Sequence, residues 1–395
     1  MKKESKNAAV IGTTCIFAYV VNYYLRNVLS VLTPTMLKTN LFSKEHIAAL
    51  SSTYMLLYAA GQLVNGFLGD ILSPKKMASA GLLVAGGALI VFPFVPYEIL
   101  QMACFAVFGF GLSMMRGPLM KIISENTKPN HARLICVFFS FASFAGPLIA
   151  SMFALINGWK WAFVAAGGVS VALAVATYLV ISVMEKKGIV TYIKTEVKGI
   201  SSILSVFKIE KIAFYIIVAG LVEIGAASIG QWITTFLTEQ LTFDKDTANL
   251  LYSGISTVRS FMPFVSLFIF RAIKEKDMPM MKVTFSISAT MFLMLLIAPN
   301  RWFSLVFLTL ALMASSVTSA LLWSIYIPSL GKTGKVSSVN GVIDCFGYIA
   351  AAGANLLFAN VMANVGWEVV YILWASVGVI GLVTAFVFGR KKQEA

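Results

Sequence analysis

The stretch Asn22-Tyr23-Tyr24-Leu25-Arg26-Asn27-Val28-Leu29-Ser30 places an arginine inside an apolar run that extends from Ala8 to Leu32. A helix of that length crosses ~30 Å of hydrocarbon. A cation at such depth costs ~2.5–3.5 kcal/mol on insertion scales, so it needs a partner or an aqueous cavity. Arg26 therefore reads either as a side chain snorkelling near the outer end or as an anion-binding group lining a transport pathway.

The rest of the chain has the same character. Hydrophobic residues make up 58% of 395 and charged residues 12%, with mean hydropathy +0.84. A soluble domain of this size carries about 25% charged residues. The chain reads as an all-α polytopic membrane protein with almost no room for a soluble domain. Met1 to Asn7 is polar and basic, and no small-residue cleavage site follows the first apolar run. That run is expected to be a retained helix and not a signal peptide. Cys15, Cys104, Cys136 and Cys345 are scattered singly in apolar segments, which fits packing residues and offers neither a disulfide frame nor a metal site.

Twelve segments are long enough to span, at about 8–32, 46–69, 77–96, 98–122, 133–156, 160–184, 212–238, 247–271, 280–298, 302–328, 336–362 and 367–389. They are too long and too apolar for barrel strands, so helices are predicted. With the N-terminus inside, 23 of the 31 Lys and Arg fall in inside segments, 5 in outside segments and 3 within spans. That bias predicts cytoplasmic termini and explains the net charge of +14 as topology. The basic residues are dispersed over loops, so no nucleic-acid surface is indicated.

One long polar connection, 185–211, separates an N-terminal bundle (1–184) from a C-terminal one (212–395). Its lysines interleave with Ile189, Val190, Ile193, Val197, Ile200, Ile203, Leu204 and Phe207, which predicts an amphipathic helix on the inner surface. The two halves carry a repeat. Gly158-Trp159-Lys160-Trp161-Ala162-Phe163 opens span six, and Gly366-Trp367-Glu368-Val369-Val370-Tyr371 opens span twelve. Two pseudo-symmetric six-helix halves are the sequence sign of a rocker-type transporter with its site at mid-membrane.

With these features the chain resembles the major facilitator superfamily. Gly66-Phe67-Leu68-Gly69-Asp70-Ile71-Leu72-Ser73-Pro74-Lys75-Lys76 is similar to that family's loop motif between spans two and three, with Ile71 and Ser73 standing where a basic residue and a glycine are usual. The resemblance implies that Gly66, Asp70, Lys75 and Lys76 form a gate, with the acid capping a neighbouring helix and latching one conformation. Asn22-Tyr23-x-x-Arg26-x-x-Leu29-Ser30-Val31-x-x-Pro34 resembles the first helix of two anion-carrying branches, the organophosphate:phosphate antiporters and the anion:cation symporters. Gly158 to Phe163 resembles the second branch. The antiporters carry a second arginine in span seven, where alignment on Trp232-Ile233-Thr234-Thr235-Phe236-Leu237 places Ala226 here. Two arginines suit a dianionic phosphate. One arginine, with Glu223 a turn before Ala226, suits a monoanion, a zwitterion or a proton-coupled substrate better.

The intramembrane charges are Arg26, Arg116, Glu223, Arg259 and Asp344, and none lies deep in spans three, six, nine or twelve, which are peripheral in the family. Arg26 is expected to bind the substrate anion. Glu223 reads either as a proton-coupling group or as a structural partner of Arg259. Asp344 with Arg259 reads as a salt bridge within one half, with a substrate contact as the other reading. Arg116, beside Gly117-Pro118, belongs to the site or to a gate. Tyr23, Tyr54, Gln231, Trp232 and Trp323 are candidate neutral contacts to substrate, although Trp and Tyr near helix ends also serve as interface anchors.

No Gly-x4-Gly-Lys-Ser/Thr loop, metal-ligand spacing or paired nucleophile and base is present in the sequence, so no cofactor, metal or enzymatic reaction is predicted. The expectation is a monomeric secondary transporter in the cell inner membrane. It would move a small organic anion (a sugar acid, other carboxylate or organophosphate) by alternating access, coupled to protons or a counter-anion. An organophosphate:phosphate exchanger and a transporter-like anion sensor that moves nothing are the other readings.

Overall fold

The computed structural model describes residues 2–39, 41–193 and 205–390. Among these residues twelve helices are long and apolar enough to cross a membrane: Glu4–Leu37, Lys44–Ile71, Pro74–Phe94, Glu98–Asn126, Pro129–Phe153, Trp159–Lys186, Ile212–Gln240, Lys245–Ala272, Asp277–Ile297, Arg301–Thr333, Val336–Met362 and Trp367–Gly389. They are numbered here as spans one to twelve and coincide with the twelve apolar runs, so the all-α, twelve-span expectation holds. Polar side chains start several of them. The Ser43 hydroxyl accepts from the His46 amide at 3.0 Å, Asp244 from Thr247 at 2.9 Å, and Asn300 from Trp302 and Phe303.

The chain divides into two compact units. The first holds residues 1–206 with 326–345, and the second holds 207–325 with 346–395. In the first, span one packs on span five, two on four, and three on six; in the second, eight packs on ten and nine on twelve. The repeated Gly-Trp is structural in both. Gly158 and Gly366 take φ of 86° and 116°, a region open to glycine, and turn the chain into the helix that each following tryptophan begins. Trp159 then packs among Phe42, Phe92 and Phe163, and Trp367 beside Phe236 and Trp374.

Spans three and six meet through glycine. A Cβ on Gly86 would stand 2.7 Å from the Gly167 carbonyl oxygen. Gly86→Leu should therefore lower stability by about 1–3 kcal/mol through overpacking, seen as a lower unfolding midpoint of the detergent-purified protein; an unchanged midpoint would show that the contact yields.

Spans three and nine end in 3-10 turns, and spans four, seven and ten carry larger irregularities. Span four breaks at Met114–Met115, just before Arg116, because the Pro118 ring cannot be accommodated against the carbonyl four residues earlier. Span seven ends in a π turn, Phe236–Gln240, and span ten contains another, Leu321–Tyr326, which ends two residues before Pro328.

The connection after span six departs from expectation where it is described. Gly188, at φ 66°, ends the helix, and residues 190–193 run without helix. The Thr191 amide donates to Asn126 Oδ1 at 2.7 Å, Asn126 Nδ2 donates back to the Thr191 carbonyl at 2.9 Å, and the Ile193 amide donates to Glu125 Oε2 at 3.0 Å. These side chains at the end of span four supply bonds that a helix would make internally. Residues 194–204 of the predicted amphipathic helix lie outside the described residues, and Ser205–Lys208 is a single 3-10 turn.

Candidate functional site

Arg26 is held by tyrosines. Its Nε donates to Tyr54 Oη at 2.7 Å, and its guanidinium carbon lies 5.3 Å from the centre of the Tyr23 ring and 4.8 Å from that of Tyr58. Helical spacing assembles this cage. Tyr23 is three residues before Arg26 on span one, and Tyr54 and Tyr58 are one turn apart on span two. Tyr19 stacks on Phe139 at 4.4 Å and meets Tyr23 edge-on at 5.3 Å. Gly146 on span five lets that helix approach, since a Cβ there would stand 2.5 Å from Tyr23 Cβ. Ring faces and a phenol orient a cation. Tyr24, by contrast, is structural: its hydroxyl donates to the Ala166 carbonyl at 2.9 Å.

Arg116 opens the second segment of span four, and its Nη1 donates to Asp344 Oδ1 at 2.9 Å. Asn340, one turn earlier on span eleven, donates to Asp344 Oδ2 at 2.8 Å. This corrects the expected Asp344–Arg259 pair. Asp344 belongs with Arg116 in the first unit, whereas Arg259 belongs to the second. The Glu223–Arg259 pairing fails too. Arg259 donates through Nε to the Ser316 hydroxyl at 3.3 Å and, among the described residues, joins no ion pair. Glu223 instead packs on Gly347, where a Cβ would stand 2.9 Å from Glu223 Cγ.

The loop motif is built around a buried carboxylate. Asp70 Oδ1 accepts from the Ser337 amide at 3.1 Å and Oδ2 from the Ser338 amide at 2.8 Å, which caps the first turn of span eleven. Lys121 Nζ lies 3.3 Å from Asp70 Oδ1 and 3.6 Å from Glu125 Oε1, and it donates to the carbonyls of Asp70 and Gly334. Gly66 permits the crossing, since a Cβ on it would stand 2.7 Å from Gly341 Cα. Lys75 pairs with Glu185 at the end of span six and lies over the Tyr178 ring, whereas Lys76 is exposed.

In the second unit, Trp232 packs against the cluster of Ile229, Ile233, Phe236 and Trp374, while Gln231 is exposed. Trp323 is buried in the π turn of span ten.

The family model of the Major Facilitator Superfamily matches residues 15–354. The chain belongs to the Major Facilitator Superfamily. It is 28% identical over 172 residues to a probable L-galactonate transporter of Escherichia coli (strain K12), a match covering 41% of this chain and 37% of that relative's length. The fold matches the crystal structure of the transporter FucP in the outward conformation, with TM-score 0.71 and 16% identity over 97% of this chain and 99% of the other. A variant of the E. coli fucose:proton symporter FucP matches with TM-score 0.72, 16% identity and 97% coverage of both chains. The protein is thus a multi-pass membrane transporter of this superfamily.

Three side chains of this superfamily member escaped the sequence reading. Tyr58 was legible as the residue one turn beyond Tyr54. Asn340 was legible as the residue one turn before Asp344. Lys121, counted among the loop lysines, is 1% exposed, and its i,i+4 partner Glu125 was the available sign.

Proposed function

We propose that the protein moves a small monoanionic organic acid, of the sugar-acid class, across the cytoplasmic membrane by alternating access coupled to protons. The observation that carries this reading is the Arg26 guanidinium held against Tyr23, Tyr54 and Tyr58 within a membrane span. A guanidinium held by aromatic rings and a phenol suits a carboxylate, which it can engage through charge-assisted hydrogen bonds, and the tyrosine hydroxyls suit a polyol chain. Similarity to a probable L-galactonate transporter supports the same class. The lysine and arginine bias supports cytoplasmic termini in this scheme. Glu223, a mid-span carboxyl, is the proton-carrying group in this scheme.

The test is counterflow of L-galactonate and D-gluconate in proteoliposomes, with L-fucose as the neutral comparison. Charge-assisted hydrogen bonds contribute roughly 1.5–3 kcal/mol, so Arg26→Ala should weaken aldonate exchange roughly 10- to 100-fold. Arg26→Lys should recover part of it. Glu223→Gln should abolish accumulation driven by a proton gradient while sparing counterflow. Equal movement of fucose, or aldonate exchange indifferent to Arg26, would overturn the assignment, and tight aldonate binding without flux would mark a sensor.

A further inference from the structure

Arg26, Arg116 and Arg259 lie deeper within their spans than the arginines at span ends, and they have different surroundings. Arg116 is paired with Asp344, and Arg26 is caged by tyrosines. Arg259, on span eight, is half-buried and meets a neutral hydroxyl, that of Ser316 on span ten, at 3.3 Å. Two hydroxyls of its own helix are engaged with that helix's backbone: those of Thr257 and Ser260 donate to the carbonyls of Ser253 and Ser256. The neighbouring Ser315 hydroxyl is engaged with Ser288 on span nine, at 3.2 Å, so the two adjacent serines of span ten serve different helices. A guanidinium stays protonated at any depth, and a charge within a span is paired or faces water or ligand. Arg259 joins no ion pair among the described residues, so an anion from outside them is the partner that its charge calls for.

We propose that Arg259 and Ser316 form an anion-binding site within the second unit that takes an organic carboxylate. This rests on the reading of the protein as an organic-anion transporter and adds to it a cationic contact on spans eight and ten. With Nε turned to Ser316, the two terminal nitrogens present a fork that matches the two oxygens of one carboxylate. Ser316 is then a positioning residue: it fixes the plane of the guanidinium.

The experiment compares unfolding midpoints of the detergent-purified full chain, alone and with D-gluconate or inorganic phosphate. The proteins are wild type, Arg259→Gln, Arg259→Lys, Ser316→Ala and Arg26→Gln. Arg259→Gln should raise or leave unchanged the midpoint without ligand, because it removes a charge that the described residues do not pair. It should also weaken anion stabilisation roughly tenfold or more in apparent Kd. Arg259→Lys should restore part of that affinity, and Ser316→Ala should weaken it less. A fall in the ligand-free midpoint of Arg259→Gln would reveal a structural partner and overturn the proposal. So would anion stabilisation lost in Arg26→Gln but intact in Arg259→Gln. The reverse pattern would keep this site and remove Arg26 from the carboxylate. No stabilisation of the wild type by either anion would overturn both readings.

Discussion

Asp70→Ala should lower the stability of the purified protein by about 3–5 kcal/mol, the cost expected when one member of a buried ion pair is removed. Two losses combine at this position. The Ser337 and Ser338 amides, at the start of span eleven, lose both carboxylate oxygens, and a lost helix cap costs about 0.5–2 kcal/mol. Lys121, 1% exposed, also loses its nearest carboxylate, keeping Glu125 at 3.6 Å. Asp70→Asn separates the two contributions, because an amide keeps one acceptor oxygen for the cap and loses the charge. If the buried lysine dominates, Asn should behave almost as badly as Ala, and adding Lys121→Met should recover much of the midpoint. If the cap dominates, Asn should be the milder change and Lys121→Met should recover little. An Asp70→Ala protein that unfolds with the wild type would show that this carboxylate holds nothing together.

The spans were legible because their signal is local. A run such as 160–184 is apolar throughout, and the lipid leaves helix as its form. The Gly-Trp pairs were legible as a repeat because both glycines meet the same local demand, a positive φ before a helix. Arg26 and Tyr23 share a helix face, so their meeting followed from spacing, and the loop motif pointed to Asp70 as a cap. Side-chain partners that depend on the packing of distant segments were not legible. Arg116 and Asp344 are 228 residues apart, and no periodicity relates them. Arg259 looked like a partner for either carboxylate because opposite charges inside a membrane are expected to meet. The fold gave one carboxylate to Arg116 and packed the other against Gly347. The stretch 189–193 failed for a different reason. Its apolar spacing is compatible with a helix, but the competing hydrogen bonds come from Glu125 and Asn126, which local sequence does not announce.

The Arg116–Asp344 pair sets the second large expectation. Arg116 is the first residue of the helical segment Arg116–Asn126, so its cation sits at the positive end of that helix, an unfavourable place for it. Asp344, 3% exposed as a side chain, faces this combined positive charge and takes a further bond from Asn340. Removing either partner leaves the other buried without its nearest opposite charge, so Arg116→Gln and Asp344→Asn should each cost about 3–5 kcal/mol. The double variant Arg116→Met with Asp344→Leu should cost far less than the sum, because apolar side chains of similar volume can replace a buried ion pair at little net penalty. Additive losses in this cycle, read from unfolding midpoints at fixed detergent, would mean that the two charges are compensated independently. Transport separates structure from function in the same set of proteins. If the pair is a strut, the double variant should regain D-gluconate counterflow along with its stability. If Arg116 touches the substrate, stability should return while exchange stays lost.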